Sequence, residues 1–206
     1  MEREEPMHSR LLGLTVIALS TVACGQTGSS PNPSAPSTLT QPANIAGNST
    51  LVGAFSAHET GTFLYRLNAA GNKATAENGD VVTVTVTRDG TNRFNVAEKS
   101  ATGGGTFVHN TSAGALVGSG TWMATGLLVF QSYGSGVANN FGGRAALTVS
   151  LTPSANPSVH LAGILVIECL VGDPPSGAFE GIRLNVKDVI NFNTPVESGV
   201  PPFLKQ

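Results

Sequence analysis

The sequence predicts an all-β fold, a single antiparallel β-barrel or a two-sheet β-sandwich of about eight or nine strands. Three observations carry this expectation. Valine and threonine alternate in several runs, and a period of two puts one set of side chains on each face of a strand. Glycine supplies 25 of the 206 residues and punctuates those runs, as the turns and bends of an all-β chain require. No segment carries a sustained helical period with caps; the pattern allows only a short helical turn over residues 69–77.

Taken in order, Phe63, Tyr65 and Leu67 share one face of TFLYRLN. Val82, Val84 and Val86 share one face of DVVTVTVTR, with Thr83, Thr85 and Thr87 opposite. Phe94 and Val96 do the same in RFNVAE, and Leu147, Val149 and Leu151 in RAALTVSLT. In GIRLNVK, Ile182, Leu184 and Val186 oppose Arg183, Asn185 and Lys187. Each pattern predicts a half-buried antiparallel strand. Residues 159–171, VHLAGILVIECLV, are apolar on both faces for much of their length. They predict a central strand buried on both sides that bends at Gly163. Residues 120–133 predict a second long strand, bending at Gly126. Asp89-Gly90 lies between two alternating runs and signals a hairpin. Further turns are expected at Asn78-Gly79-Asp80, Thr111-Ser112-Ala113-Gly114 and Gly172-Asp173-Pro174-Pro175. Strands in sequential order make a meander, and closing it removes its edges.

A small motif recurs in which glycine, then alanine or threonine, precedes an aromatic residue. It occurs at Gly53-Ala54-Phe55, Gly61-Thr62-Phe63, Gly105-Thr106-Phe107, Gly120-Thr121-Trp122 and Gly177-Ala178-Phe179. Glycine and ring then share a face, so the ring can cover the bare backbone. The GGGTF and GSGTW copies flank one hairpin and are placed to pair. Core packing is the expected role of these rings. The functional alternative is a ligand-contacting stripe, with Trp122 and Phe107 as its candidates. The glycine-rich, aromatic-punctuated strands are similar in general look to the small barrels that include dirigent proteins and allene oxide cyclase. That resemblance assigns no residue a role.

The N-terminal region carries the strongest localisation signal. Residues 11–24, LLGLTVIALSTVAC, form a short apolar run ending in small residues and a cysteine. The run is too short to span a bilayer, which needs ~20 apolar residues, but long enough for a signal peptide. The acidic start MEREEP opposes the usual charge pattern, whereas initiation at Met7 leaves only Arg10 as a charge before the apolar run. Thr21-Val22-Ala23-Cys24 resembles the lipobox of bacterial lipoproteins, departing from it at Thr21, where leucine is usual. The resemblance implies cleavage before Cys24 and acylation of that residue. Cleavage after Ala23 by ordinary signal peptidase is the alternative and gives a secreted protein. The domain expectation is a signal peptide over residues 1–23, a tether over residues 24–50 and one all-β domain over residues 51–206. The tether is rich in proline, serine and threonine and lacks charge, so it cannot bury enough surface to order itself. The tail from Asn191 to Gln206 holds three prolines and is expected to be loose, with Phe203-Leu204 able to dock on the barrel.

Charged residues are 12% of the chain and its net charge is −2. Without a basic stripe, nucleic acid is not an expected partner. After Cys24 only Cys169 remains, so the domain has no internal disulfide and no multi-cysteine zinc site. No cofactor or metal is implied. His58, His109 and His160 could form a three-histidine site only if they converged, and surface histidines at strand ends are the default. Cys169 lacks a nearby base, and a buried free cysteine is usually inert.

Glu168 is the more informative polar residue, because it interrupts the most apolar strand and must be paired or protonated. Arg183 or Arg144 on neighbouring strands could satisfy it. A structural ion pair is one reading. The other is a lumenal acid/base site built from Glu168, Arg183 and Tyr133, with isomerase- or cyclase-type chemistry. A lumen lined only by Val, Leu, Phe and Ala would exclude that enzyme, and a solvent-open convergence of the three residues would support it. The expected function is therefore an exported, lipid-anchored envelope domain with a binding or structural role. Its partners would be the membrane, through the lipid, and a small apolar ligand or an envelope protein. A subunit of a surface assembly is the third reading.

Overall fold

Alternating side chains resolve in the folded chain into antiparallel strands alone. The computed structural model describes residues 59–196 and 203–206. Among them are thirteen strands and no helix. The first five are short: β1 (Thr62–Tyr65), β2 (Asn72–Thr75), β3 (Val81–Val84), β4 (Arg93–Asn95) and β5 (Ser100–Thr102). Four longer ones follow: β6 (Gly104–Asn110), β7 (Leu116–Ser135), β8 (Asn140–Pro153) and β9 (Leu161–Cys169). The last are β10 (Gly181–Val186), β11 (Ile190–Phe192), β12 (Thr194–Val196) and β13 (Phe203–Lys205). The expected eight or nine strands undercount because β5, β11, β12 and β13 have three residues each. Three residues are too few to display a period of two.

The sheet runs β12-β2-β3-β6-β7-β8-β13-β1-β4-β5, and β9, β10 and β11 branch from β8. Strand β8 is the fork. Its residues Gly143 to Leu151 pair with β9, while Asn140 and Phe141 pair with Leu204 and Phe203 of β13. The sheet curls into a half-barrel. One flank is drawn in where β10 lies against β2 and β12. The other is drawn in where the Leu127 and Ala124 amides of β7 donate to the carbonyls of Lys99 and Gly103, on either side of β5.

Side chains facing the curl fill it. Val82, Val84, Leu147, Val149, Leu151, Leu165, Ile167, Ile182 and Leu184 are all buried there. At the fork the filling is aromatic. Phe63 lies 4.9 Å from Phe130 and 5.5 Å from Phe94, and Phe203 lies 5.2 Å from Phe130. Such ring pairs add ~0.5–1.5 kcal/mol each beyond their burial. The two central copies of the glycine–aromatic motif do pair. Gly105 stands opposite Trp122, and Gly120 opposite Phe107; the Phe107 ring covers Gly120, while the Thr85–Val86 backbone closes over Gly105.

Several sequence expectations are corrected. Asp89-Gly90 does turn the chain, with Asp89 Oδ1 accepting from the Thr91 amide and hydroxyl, but it joins no hairpin. Strand β3 lies between β2 and β6, and β4 lies between β1 and β5. Phe94, drawn into the ring cluster, outweighs the local turn, and the simple meander is broken there. Residues 72–75 form β2 rather than a helical turn. The Asn68 amide donates to Asn72 Oδ1 and shapes the preceding turn. Strand β9 is buried on one face for most of its length, with Ile164 on the other face 38% exposed. Its pairing runs through Gly163 without a register break. The irregularity expected near Gly126 is present, as a bulge between Ala124 and Gly126. The tail is not loose at Phe203, which is fully buried between β1 and β8.

Candidate functional site

Glu168 sits on β9 between Ile167 and Cys169, both of which point into the apolar core. Alternation turns Glu168 to the opposite, outward face. It is nevertheless only 2% exposed, so something must cover it. The outer-face neighbours do. Arg144 of β8 and Gly181 of β10 stand directly opposite Glu168. Gly181 leaves no side chain in the way, and Arg183, two residues along, reaches over. Its Nη1 donates to Glu168 Oε2 at 2.8 Å, and Arg144 Nε lies 4.0 Å from the same oxygen. The Phe179 ring lies 5.8 Å from the Arg183 guanidinium and covers it from outside.

Tyr133 completes the group from β7. Its hydroxyl donates to Glu168 Oε1 at 2.7 Å. The register slips between Ser132 and Gly134, leaving Tyr133 as an unpaired bulge residue whose side chain is re-aimed. The segment after β9 then folds back across the end of β7 and β8. The Asp173 amide donates to the Tyr133 carbonyl at 2.6 Å, and the Leu170 amide to Glu180 Oε2 at 2.7 Å. Gly142 makes the crossing possible, since a Cβ there would overlap the Val171 backbone.

The three residues named from the sequence therefore come together, but on the outer face of the sheet rather than in a lumen. Glu168 gives one oxygen to Tyr133 and the other to Arg183, and the cluster is covered. Burial first, and then the Glu168 carboxylate, push the Tyr133 phenol well above its ordinary range, so it acts as a neutral donor. Burial pushes the neighbouring Cys169 thiol up to about 11, which opposes thiolate chemistry. Trp122 and Phe107 are built into the core, and the Trp122 indole donates to the Thr85 carbonyl at 2.9 Å.

His109 is more engaged than a surface histidine. Its Nε2 lies 2.9 Å from Asp80 Oδ2, and its ring meets Phe192 edge-on. His160 Nδ1 is 3.0 Å from Thr152 Oγ1. Among the described residues no three His, Cys, Asp or Glu side chains gather as metal ligands, and His58 lies outside them, as do Cys24 and the whole leader. Sequence reasoning missed the Asp80–His109 pair, because 29 residues separate its members and only the pairing of β3 with β6 unites them. It expected the Phe179 ring to pack in the core, where it is instead 57% exposed over Arg183, and it missed Glu180, which belongs to a connection without periodicity. Comparison of the chain with protein-family models, curated proteins and solved structures finds no match.

Proposed function

We propose that this chain is an exported envelope domain, tethered by a lipid on Cys24, that works by binding or structural display rather than by catalysis. The observation that carries the proposal is the short apolar run ending in Thr21-Val22-Ala23-Cys24. A lipidated cysteine followed by an uncharged, proline-rich stretch is the arrangement of a domain held off a membrane, and stable anchoring takes more than one acyl chain. The closed Glu168 cluster favours a non-catalytic role, because acid/base chemistry needs a solvent path to a carboxylate that is 2% exposed.

The test is metabolic labelling of the full chain in a bacterial host with radiolabelled palmitate, beside a Cys24→Ala variant. Label in the parent, loss of label in the variant and release of the variant from the membrane fraction support the proposal. An uncut, unlabelled parent in the cytosol overturns it.

A second reading, a subunit of a surface assembly, draws on the outer face of β7 to β9. Val129, Ala146 and Val166 line up across it, with Met123 and Ile164 exposed beside them. Light scattering on the purified domain distinguishes a monomer from an assembly.

A further inference from the structure

We infer that the cleft between residues 64–67 and residues 86–92 binds a small organic anion, a carboxylate or phosphate monoester carried on an apolar body. The inference rests on the cleft alone and not on where the protein resides.

The floor of the cleft is apolar and the rim is basic. Tyr65 and Leu67 are buried beneath it, Val86 is partly buried beside them, and Arg66 and Arg88 stand exposed at its edge. Arg183 and Arg144 are committed to Glu168, and Lys205 to Glu59. Arg66 and Arg88 have no ion-pair partner among the described residues. The nearest carboxylate in sequence, Asp89, is engaged by the Thr91 amide and hydroxyl. Both arginines line the same cleft, so an anion seated there meets two positively charged side chains. Their planar forks suit the paired oxygens of a carboxylate or phosphate.

The cleft is also held in shape before any ligand arrives. Asn92 forms one wall, is only 4% exposed and uses both ends of its amide. Its Nδ2 donates to the Thr87 carbonyl, and its Oδ1 accepts from the Gly104 amide at 2.9 Å. The Asn92 carbonyl accepts from the Tyr65 amide at 3.0 Å, tying that wall to the floor. Gly103 has φ +96° and passes so close beneath Asn92 that a Cβ would collide with it. The Tyr65 hydroxyl donates to the Thr102 carbonyl at 2.7 Å and pins the floor from below. A buried amide bonded on both sides fixes the gap between the two segments, so little ordering is left for binding to impose. The volume, about 270 Å³, is below the range of drug-sized pockets. It therefore suits a ligand the size of one ring.

The test is titration of the ¹⁵N-labelled full chain with phenyl phosphate and with benzoate, followed by amide chemical shifts, with benzyl alcohol as the neutral control. The inference expects saturable shifts confined to residues 64–67 and 86–92 for both anions. It expects much weaker shifts for the alcohol and loss of affinity at high salt. Arg66→Gln and Arg88→Gln should each weaken binding about five- to tenfold, the scale of one solvent-exposed hydrogen-bonded contact. Both arginines are exposed, so unchanged melting temperatures are expected in the variants. Arg66→Lys and Arg88→Lys keep the charge but lose the fork, and should also bind less tightly. Three results overturn the inference: shifts outside the cleft or without saturation, equal binding of benzyl alcohol, or unchanged affinity in the double Gln variant. Binding of a heparin-type polyanion without binding of either small anion overturns it as well.

Discussion

Replacing Arg183 with leucine leaves the Glu168 carboxylate buried without its nearest cation. Breaking a buried pair by removing one partner costs ~3–5 kcal/mol. Here Arg144 remains 4.0 Å away and its side chain is 47% exposed, so the lower end applies, about 3 kcal/mol. A domain of this size loses ~2–4 °C of melting temperature per kcal/mol, which gives a fall of about 6–12 °C for Arg183→Leu. The triple variant Tyr133→Phe, Glu168→Leu, Arg183→Leu removes the carboxylate together with its two hydrogen-bonded partners and leaves only the half-exposed Arg144. It is expected to regain most of that loss, because apolar replacement of a complete buried pair is often neutral. Calorimetry on parent, single and triple variants reads both quantities. If Arg183→Leu melts within about 1 °C of the parent, Arg183 does not secure Glu168 and the account of this cluster is wrong. A triple variant no better than the single points to the same conclusion.

Three further outcomes are expected. Tyr133→Phe deletes one donor to a charged, covered oxygen and should lower stability by about 1.5–3 kcal/mol in urea unfolding. Gly142→Ala forces a Cβ into the Val171 backbone and should cost about 1–3 kcal/mol, with faster proteolysis within residues 170–180 as the local readout. The hydrogen bond from His109 holds the Asp80 carboxyl below its ordinary 3.8. The folded value lies under the unfolded one, so this contribution is present above about pH 4 and is lost as pH falls through the folded value. Urea midpoints of Asp80→Asn should therefore fall less steeply in acid than those of the parent. Asp89, lowered by Thr91, keeps part of the slope in the variant.

The fold class was legible because the inner faces of the long strands are regular. Val82 and Val84, then Leu147, Val149 and Leu151, and Ile182, Leu184 and Val186 are the residues that fill the curl. The paired glycines and rings of GGGTF and GSGTW were legible for the same reason, as two strands of one hairpin. What escaped was long-range. Whether Phe94 follows its turn or joins Phe63 depends on rings from β7 and β13, which no local window contains. The convergence of Glu168 with Arg183 and Arg144 was accessible as a charge that had to be paired. Its outward direction was not, because neither face of VHLAGILVIECLV looked wet. The cover over that carboxylate comes from the bulge at Tyr133 and from a connection that carries no repeating pattern.

Strand β13 has a consequence for the timing of folding. Its residues Phe203 to Lys205 zip onto Tyr65 to Phe63, a pairing that spans nearly all of the described residues. Synthesis delivers the N-terminal partner first and must leave it waiting. Until Phe203 to Lys205 emerge, the β1 edge and the ring cluster beside it lack their partner, and that flank cannot lock. Closure of such a non-local pairing is slow, because the intervening chain must first be brought together.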